Sequence, residues 1–181
     1  MTTKVEPLHV MISWSGAKSK AIALTLTEWI ECVVPGVEVW ISADDIAVGK
    51  AWFSQLMDVL ERAQVCIICV TDDNVSSPWI YYEAGAIAAN GQRVIDDKPL
   101  ICSYLASVDT KHILPSPLGQ FQWAAATKED TWRMVQEINR LLAHAAHNED
   151  LLRTAFSAKW PPFKRRINGI MQDANASVVQ A

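Results

Sequence analysis

The 181-residue sequence lacks several features that would assign a chain to a class at once. No apolar run approaches the ~18 residues that cross a bilayer, and the first ten residues do not have the layout of a signal peptide. Acidic residues outnumber basic ones by 20 to 16, for a net charge of −4. The basic surface typical of nucleic-acid binding is therefore not indicated. We expect a soluble, cytoplasmic protein that binds neither membrane nor nucleic acid.

Cysteine is scarce, with four residues in the chain. Cys66 and Cys69 form a C-x-x-C pattern inside the apolar run VCIICV. Residues three apart in a strand face opposite sides, so these two thiols cannot share a metal or form a redox pair. Cys32 and Cys102 also stand among apolar residues. We interpret all four cysteines as core residues.

Two common nucleotide-binding motifs are absent from the sequence. It contains neither G-x-G-x-x-G nor G-x-x-x-x-G-K-[ST], which excludes a Rossmann fingerprint and a P-loop. His144 and His147 have a helical metal-ligand spacing near Glu149. No further ligand is evident, so we interpret them as a solvated helix end and expect no metal site. Asp72-Asp73 resembles half of a phosphoacceptor site, but no acidic pair follows the first predicted strand.

Short apolar runs alternate with segments of helical period along the chain. This alternation predicts right-handed βαβ units and an α/β fold with an open parallel sheet, flavodoxin-like order and helices on both faces. We expect one domain over residues 1–145 and a C-terminal helical extension over 146–181, frayed from Asp173 onward. The predicted strands are 8–12, 37–41, 65–70, 99–105 and a short edge strand at 121–123; the helices are 21–34, 52–60, 78–90 and 129–143, with a loop-like stretch up to Pro117.

Ligands of open parallel sheets bind beyond the carboxyl ends of the strands. Four predicted loops reach that edge: 13–16, 42–50, 71–77 and the loop after Leu105. The third leads into a helix with Ser77 as expected N-cap and Pro78 in its first position. The edge formed by these loops is therefore the predicted site.

A W-x-x-x-E pattern, Trp79 to Glu83, begins this helix. The pattern has little weight by itself in a chain with eight tryptophans. Its position gives it weight, because the two residues share one helix face beside the predicted site. Small and apolar residues follow Glu83, so its carboxylate should be partly desolvated and require a partner or a ligand. The alternative is an ordinary acid near a helix N-terminus, stabilised by the helix dipole.

Three segments together resemble the bacterial TIR (Toll/interleukin receptor) family. They are Met11-Ile12-Ser13-Trp14-Ser15-Gly16, then Trp40-Ile41-Ser42 with Asp45, Ile46 and Gly49, then Ser77-Pro78-Trp79 with Glu83-Ala84-Gly85-Ala86. The resemblance covers residues 8 to 142 in the family's order and spacing. Within the family, the chain looks closest to the stand-alone proteins of antiphage systems such as Thoeris.

The resemblance implies cleavage of NAD+ at the bond between nicotinamide and ribose, with NAD+ as substrate and no further cofactor. It also implies assembly with other TIR units, in which residues 42–50 open or close the pocket. The product, ADP-ribose or a cyclic ADP-ribose isomer, would signal to a downstream effector in antiphage defence. Glu83 matches the family's catalytic glutamate, and the implied substrate-binding residues are Ser13, Trp14, Ser15, Gly16, Trp40, Ser42, Asp45 and Trp79.

This reaction needs only one carboxylate. Nicotinamide leaves a pyridinium cation as a neutral molecule, so the second, proton-donating carboxyl of ordinary glycosidases is not required. Glu83 would hold the ribose hydroxyls and offset the positive charge on the ribosyl carbon. Two alternatives stay open: a non-enzymatic scaffold that acts by TIR–TIR assembly, and a module that binds a nucleotide or ADP-ribose without turnover.

Overall fold

The computed structural model describes residues 6–41, 58–59, 62–90 and 100–178. Within these ranges, parallel strands alternate with helices, as the apolar pattern predicts. The strands are β1 (Leu8–Ser13), β2 (Val37–Ile41), β3 (Val65–Val70), β4 (Leu100–Leu105) and β5 (Gln122–Ala125). The α-helices are α1 (Ala17–Val33), α2 (Pro78–Asn90), α3 (Thr110–Ile113), α4 (Lys128–Leu141) and α5 (Glu149–Val178), and 3-10 turns cover Pro117–Gln120 and Ala143–Ala145.

The five strands form one parallel sheet in the order β2-β1-β3-β4-β5. This arrangement confirms the predicted flavodoxin-like fold. Strand β3 lies at the centre, and all six of its residues are buried. Its continuous apolar sequence follows from this place, because a central parallel strand is covered by helices on both faces.

Helices cover the two faces of the sheet with different sets of apolar residues. On the first face, α1, α4 and α5 pack against alternate residues of the strands, such as Val10, Ile12 and Ile67. On the second face, Ile80 and Ala84 of α2 pack against the intervening residues, including Met11 and Ile68. The period of two along each strand produces this division.

The C-terminal helix α5 belongs to the first face. Its Phe156, Trp160 and Phe163 surround Trp29 of α1, with ring centroids 5.5, 6.3 and 4.4 Å from the Trp29 ring. Trp29 and Trp160 are both core residues, 6% and 8% exposed. The helix ends at Val178.

The structure corrects three local predictions. Cys32 is exposed, because Ile30 and Val33 define the buried side of α1 and Cys32 lies about 100° around the helix from Val33. Helix α1 begins at Ala17, one turn earlier than its apolar period indicates. The stretch after β4 is not all loop: it contains α3 and the 3-10 turn Pro117–Gln120, each capped by a side chain, Asp109 and Ser116.

The predicted helix 52–60 lies mostly outside the described residues. Of the helices within the described part of the chain, none combines the length and the apolar character of a membrane span.

Candidate active site

The carboxyl ends of β1, β3 and β4 lie side by side in the sheet. The loops that follow these strands, 14–16, 71–77 and 106–109, therefore meet at one edge, as the sequence predicts. Helix α2 begins at Pro78, directly after the second of these loops. The first turns of α2 thus border the predicted site.

Glu83 is the sixth residue of α2 and has no exposed surface. Ile80 and Ala84, which are 0% and 2% exposed, occupy the same side of the helix and pack against the sheet. This helical spacing turns Glu83 inward with them. The sequence predicted partial desolvation of the carboxylate, and the structure shows complete burial.

The carboxylate of Glu83 is held by the end of β1. Ser13, the last residue of that strand, donates a hydrogen bond from Oγ to Glu83 Oε2, and Ser13 also has no exposed surface. The two residues are 70 positions apart in the sequence. The structure thus joins two of the predicted site residues in one buried contact.

Cys66 is a further neighbour on this face of the sheet. Burial raises the pKa of its thiol well above the ordinary value, and the negative charge of Glu83 raises it further. The Cys66 thiol is therefore protonated at neutral pH. Cys69 packs on the opposite face, which confirms that the C-x-x-C pattern is not a redox or metal pair.

Asn74 joins the loop after β3 to the loop after β1. Its Nδ2 donates to the carbonyl oxygens of Ser15 and Cys69, each at 3.0 Å, and its Oδ1 accepts from the backbone N–H of Thr71 at 2.8 Å. Ser77 Oγ adds a hydrogen bond to Ser15 Oγ at 3.0 Å. Asn74 is 4% exposed. Sequence reasoning gave Asn74 no role, although asparagine in a turn after a strand is a common signal for such backbone contacts.

An ion pair crosses the outer side of the same loops. Lys18 Nζ lies 2.8 Å from Asp72 Oδ1 and 3.9 Å from Asp73 Oδ1. Ser107, after β4, donates to Asp72 Oδ1 at 2.8 Å. The hydrogen bond with Lys18 is the main reason that the pKa of Asp72 lies below its ordinary value. Gly16, predicted as a substrate contact, has φ of 87° here, a conformation that favours glycine.

Two aromatic residues lie beside Glu83 on α2. The half-buried Trp79 stacks on Tyr82, with ring centroids 5.8 Å apart and planes 30° apart. Tyr82 is 44% exposed. Sequence reasoning missed Tyr82, although its spacing of three from Trp79 predicts neighbouring rings on a helix.

The remaining predicted site residues lie in different places. Trp40 on β2 packs against the cluster on the Glu83 side of the sheet. Trp14 belongs to the cluster on the opposite side, is 4% exposed and carries the Lys20 Nζ 4.6 Å from its ring centroid. The structure does not bring Trp14 together with Glu83. Ser42 and Asp45 lie outside the described residues.

No group of three or more His, Cys, Asp or Glu side chains within the described ranges is placed to hold a metal ion. His144 and His147, which have helical spacing, lie in surroundings that differ from a metal site. His147 Nε2 lies 2.7 Å from the carbonyl oxygen of Pro35, and His144 is exposed in the 3-10 turn.

Comparison with protein families agrees with this architecture. The model of the family described as TIR domain matches residues 10–142, which is most of the chain. The protein belongs to the TIR domain family. The match runs from within β1 to just past the end of α4, and thus includes both Ser13 and Glu83.

Comparison with single proteins adds less. No curated protein matches this TIR domain protein. Among solved structures, it is similar to the TIR domains of the activated Roq1 resistosome directly recognizing the pathogen effector XopQ, with 14% identity, a TM-score of 0.46, and coverage of 92% of this chain and 99% of that chain. It is also similar to diflavin flavoprotein A3 from Nostoc sp., with 12% identity, a TM-score of 0.42, and coverage of 93% and 98%.

Proposed function

We propose that this TIR domain protein cleaves NAD+ at the bond between nicotinamide and ribose, with Glu83 as the catalytic carboxylate. The observation that carries the proposal is the placement of Glu83: a fully buried acid at the carboxyl edge of the sheet, held by Ser13. The TIR family includes both NAD-cleaving enzymes and scaffolds. An acid used only to cap a helix would remain in water, because burial of a carboxylate is costly.

The chemistry fits a single carboxylate. The nicotinamide ring of NAD+ carries a positive charge, and this charge passes toward the ribosyl carbon as the glycosidic bond breaks. A preorganised negative group in a water-excluded site stabilises that charge far better than it could in water. Nicotinamide departs as a neutral molecule, so no group has to donate a proton. The thiol of Cys66 is neutral and adds no second negative charge beside Glu83.

Aromatic side chains supply a surface for the bases of NAD+. The stacked pair of Trp79 and Tyr82 lies next to Glu83 on α2, and Trp40 packs on the same side of the sheet. Planar rings stack favourably on such surfaces. We assign Trp79 and Tyr82 to nicotinamide or adenine contacts.

Access to Glu83 requires a change of conformation, because its side chain has no exposed surface. We propose that assembly with other TIR units opens the pocket through the segment 42–50, which lies outside the described residues. The product, ADP-ribose or a cyclic isomer, would act on a downstream effector in antiphage defence in the cytoplasm. NAD+ is the substrate, and the reaction needs no further cofactor.

The proposal is tested by measuring nicotinamide release from NAD+ with the full chain at high protein concentration. Glu83→Gln keeps the size of the side chain and removes its charge, so we expect a fall of at least about 100-fold in kcat. The matched control is Glu129→Gln, which neutralises an exposed carboxylate on α4 and should leave release unchanged. Circular dichroism of all three proteins checks that they are folded.

A scaffold gives a different result in the same experiment. Wild type and Glu83→Gln would then be equally silent even under conditions where the protein assembles, as followed by light scattering. Equal, measurable release by both proteins would also refute the role of Glu83. A binding module would retain NAD+ or ADP-ribose in equilibrium dialysis without releasing nicotinamide.

A further inference from the structure

Ser13 is the last residue of β1, an interior strand of the sheet. It is paired in register with Ile68 of β3, and Ile68 is paired with Ser103 of β4. Residues in register in a parallel sheet project to the same face, so these three side chains form a row beneath α2. Both serines in this row are fully buried.

The two serines differ in what their hydroxyl groups contact. Ser13 Oγ donates to Glu83 Oε2, whereas Ser103 Oγ has no hydrogen-bond partner in the described part of the chain. A hydroxyl group has one proton to donate. The proton of Ser13 is committed to Glu83 and cannot at the same time be donated to a substrate.

The support behind Ser13 is rigid. Strand β1 is paired on both sides, with β2 and β3, and Asn74 fixes the loop that follows it through the carbonyl oxygen of Ser15. A hydrogen bond to an ionised group is stronger than one between neutral groups, more so in a buried place. The contact therefore restricts the orientation of the carboxylate.

We propose that Ser13 is a positioning residue, whose hydroxyl group fixes the orientation in which the Glu83 carboxylate meets the ribose of its substrate. Ser13 acts through Glu83 and does not itself bind NAD+. This inference replaces the substrate-binding role that the family resemblance implies for Ser13, and it rests on the proposed function of Glu83.

The kinetic test compares Ser13→Ala with Ser13→Thr and Ser103→Ala in the nicotinamide-release assay on the full chain. Ser13→Ala should lower kcat by about 10- to 100-fold, as expected for a misplaced catalytic group, with little change in KM. Ser13→Thr retains the hydroxyl group and should recover most of the rate. Ser103→Ala removes the same group from the same row and should leave kcat unchanged.

A spectroscopic test is independent of turnover. In protein labelled with 13C at the Glu side-chain carboxyl carbons, the Glu83 resonance is assigned by its loss in Glu83→Gln. Ser13→Ala should shift this resonance, and Ser103→Ala should not. If the extra methyl group of Ser13→Thr is not accommodated, the shift of the Glu83 resonance still tests the positioning role of Ser13.

The outcomes separate the two proposals. If wild type releases no nicotinamide but Ser13→Ala shifts the Glu83 resonance, the proposed function fails and the fixing of the carboxylate by Ser13 stands. If wild type is active and Ser13→Ala raises KM at unchanged kcat, Ser13 binds substrate and the positioning role is refuted. A Glu83 resonance that does not respond to Ser13→Ala refutes it as well, whatever the activity.

Discussion

The aromatic cluster between α1, α4 and α5 provides a quantitative test of how the C-terminal helix belongs to the domain. Phe156 is 2% exposed and contacts three tryptophan rings, those of Trp29, Trp132 and Trp160, at centroid distances of 5.5, 5.0 and 5.5 Å. The perturbation is Phe156→Ala. It removes a buried ring and leaves a cavity among side chains that belong to three helices.

The expected loss in free energy of unfolding is about 3–5 kcal/mol, the usual cost of replacing a buried Phe by Ala. Each aromatic pair contributes about 0.5–1.5 kcal/mol beyond the burial of area, so three lost contacts favour the upper part of this range. Domains have total stabilities of about 5–15 kcal/mol. The variant should therefore fold but be markedly weakened.

Urea unfolding followed by tryptophan fluorescence and by circular dichroism measures this loss. The midpoint should fall at unchanged m, because the area exposed on unfolding is nearly the same. The control is Leu151→Ala on the same helix, where the side chain is 69% exposed and the change should stay within about 0.5 kcal/mol. A loss under about 1 kcal/mol for Phe156→Ala would refute the packing of α5 as an integral part of the domain.

Two further predictions concern ionisable groups. Lys18→Met should lower stability at neutral pH by less than about 1 kcal/mol, because Asp72 is 56% exposed and surface ion pairs are weak. Because the pKa of Asp72 is lowered in the folded protein, the stabilisation by the ion pair disappears as the pH falls through that pKa. The unfolding free energies of the two proteins, measured by urea titration, should therefore converge in acid. A difference that stays constant with pH would contradict the prediction. In the native protein, iodoacetamide should modify the exposed Cys32 first, and mass spectrometry would identify the modified residue. The other thiols are protected because burial hides them and raises the pKa of each one: Cys66, Cys69 and Cys102.

Much of the fold follows from the sequence because local periodicity decides it. The six apolar residues of β3 require cover on both faces, and this requirement places the strand at the centre of a parallel sheet. The spacing of Ile80, Glu83 and Ala84 places the carboxylate on the inner side of α2. Such features depend on the period of 3.6 residues in a helix or 2 residues in a strand. They can be predicted without knowing which residues any side chain contacts.

The site itself depends on contacts between distant parts of the chain. The hydrogen bond between Ser13 and Glu83 spans 70 positions and exists because β1 and β3 are neighbours and α2 packs on the face of the sheet to which Ser13 points. The same packing places Trp14 on the opposite face, one residue after Ser13, since successive residues of a strand alternate. Cys32 stands among apolar residues in the sequence yet is exposed, because burial on α1 depends on the side of the helix a residue occupies and not on its neighbours along the chain. The sequence by itself thus determined the five strands and the longer helices among the described residues. Only the tertiary structure decided that Glu83 is fully buried and which hydroxyl group meets it, because both depend on the order of the strands and on where α2 packs against the sheet.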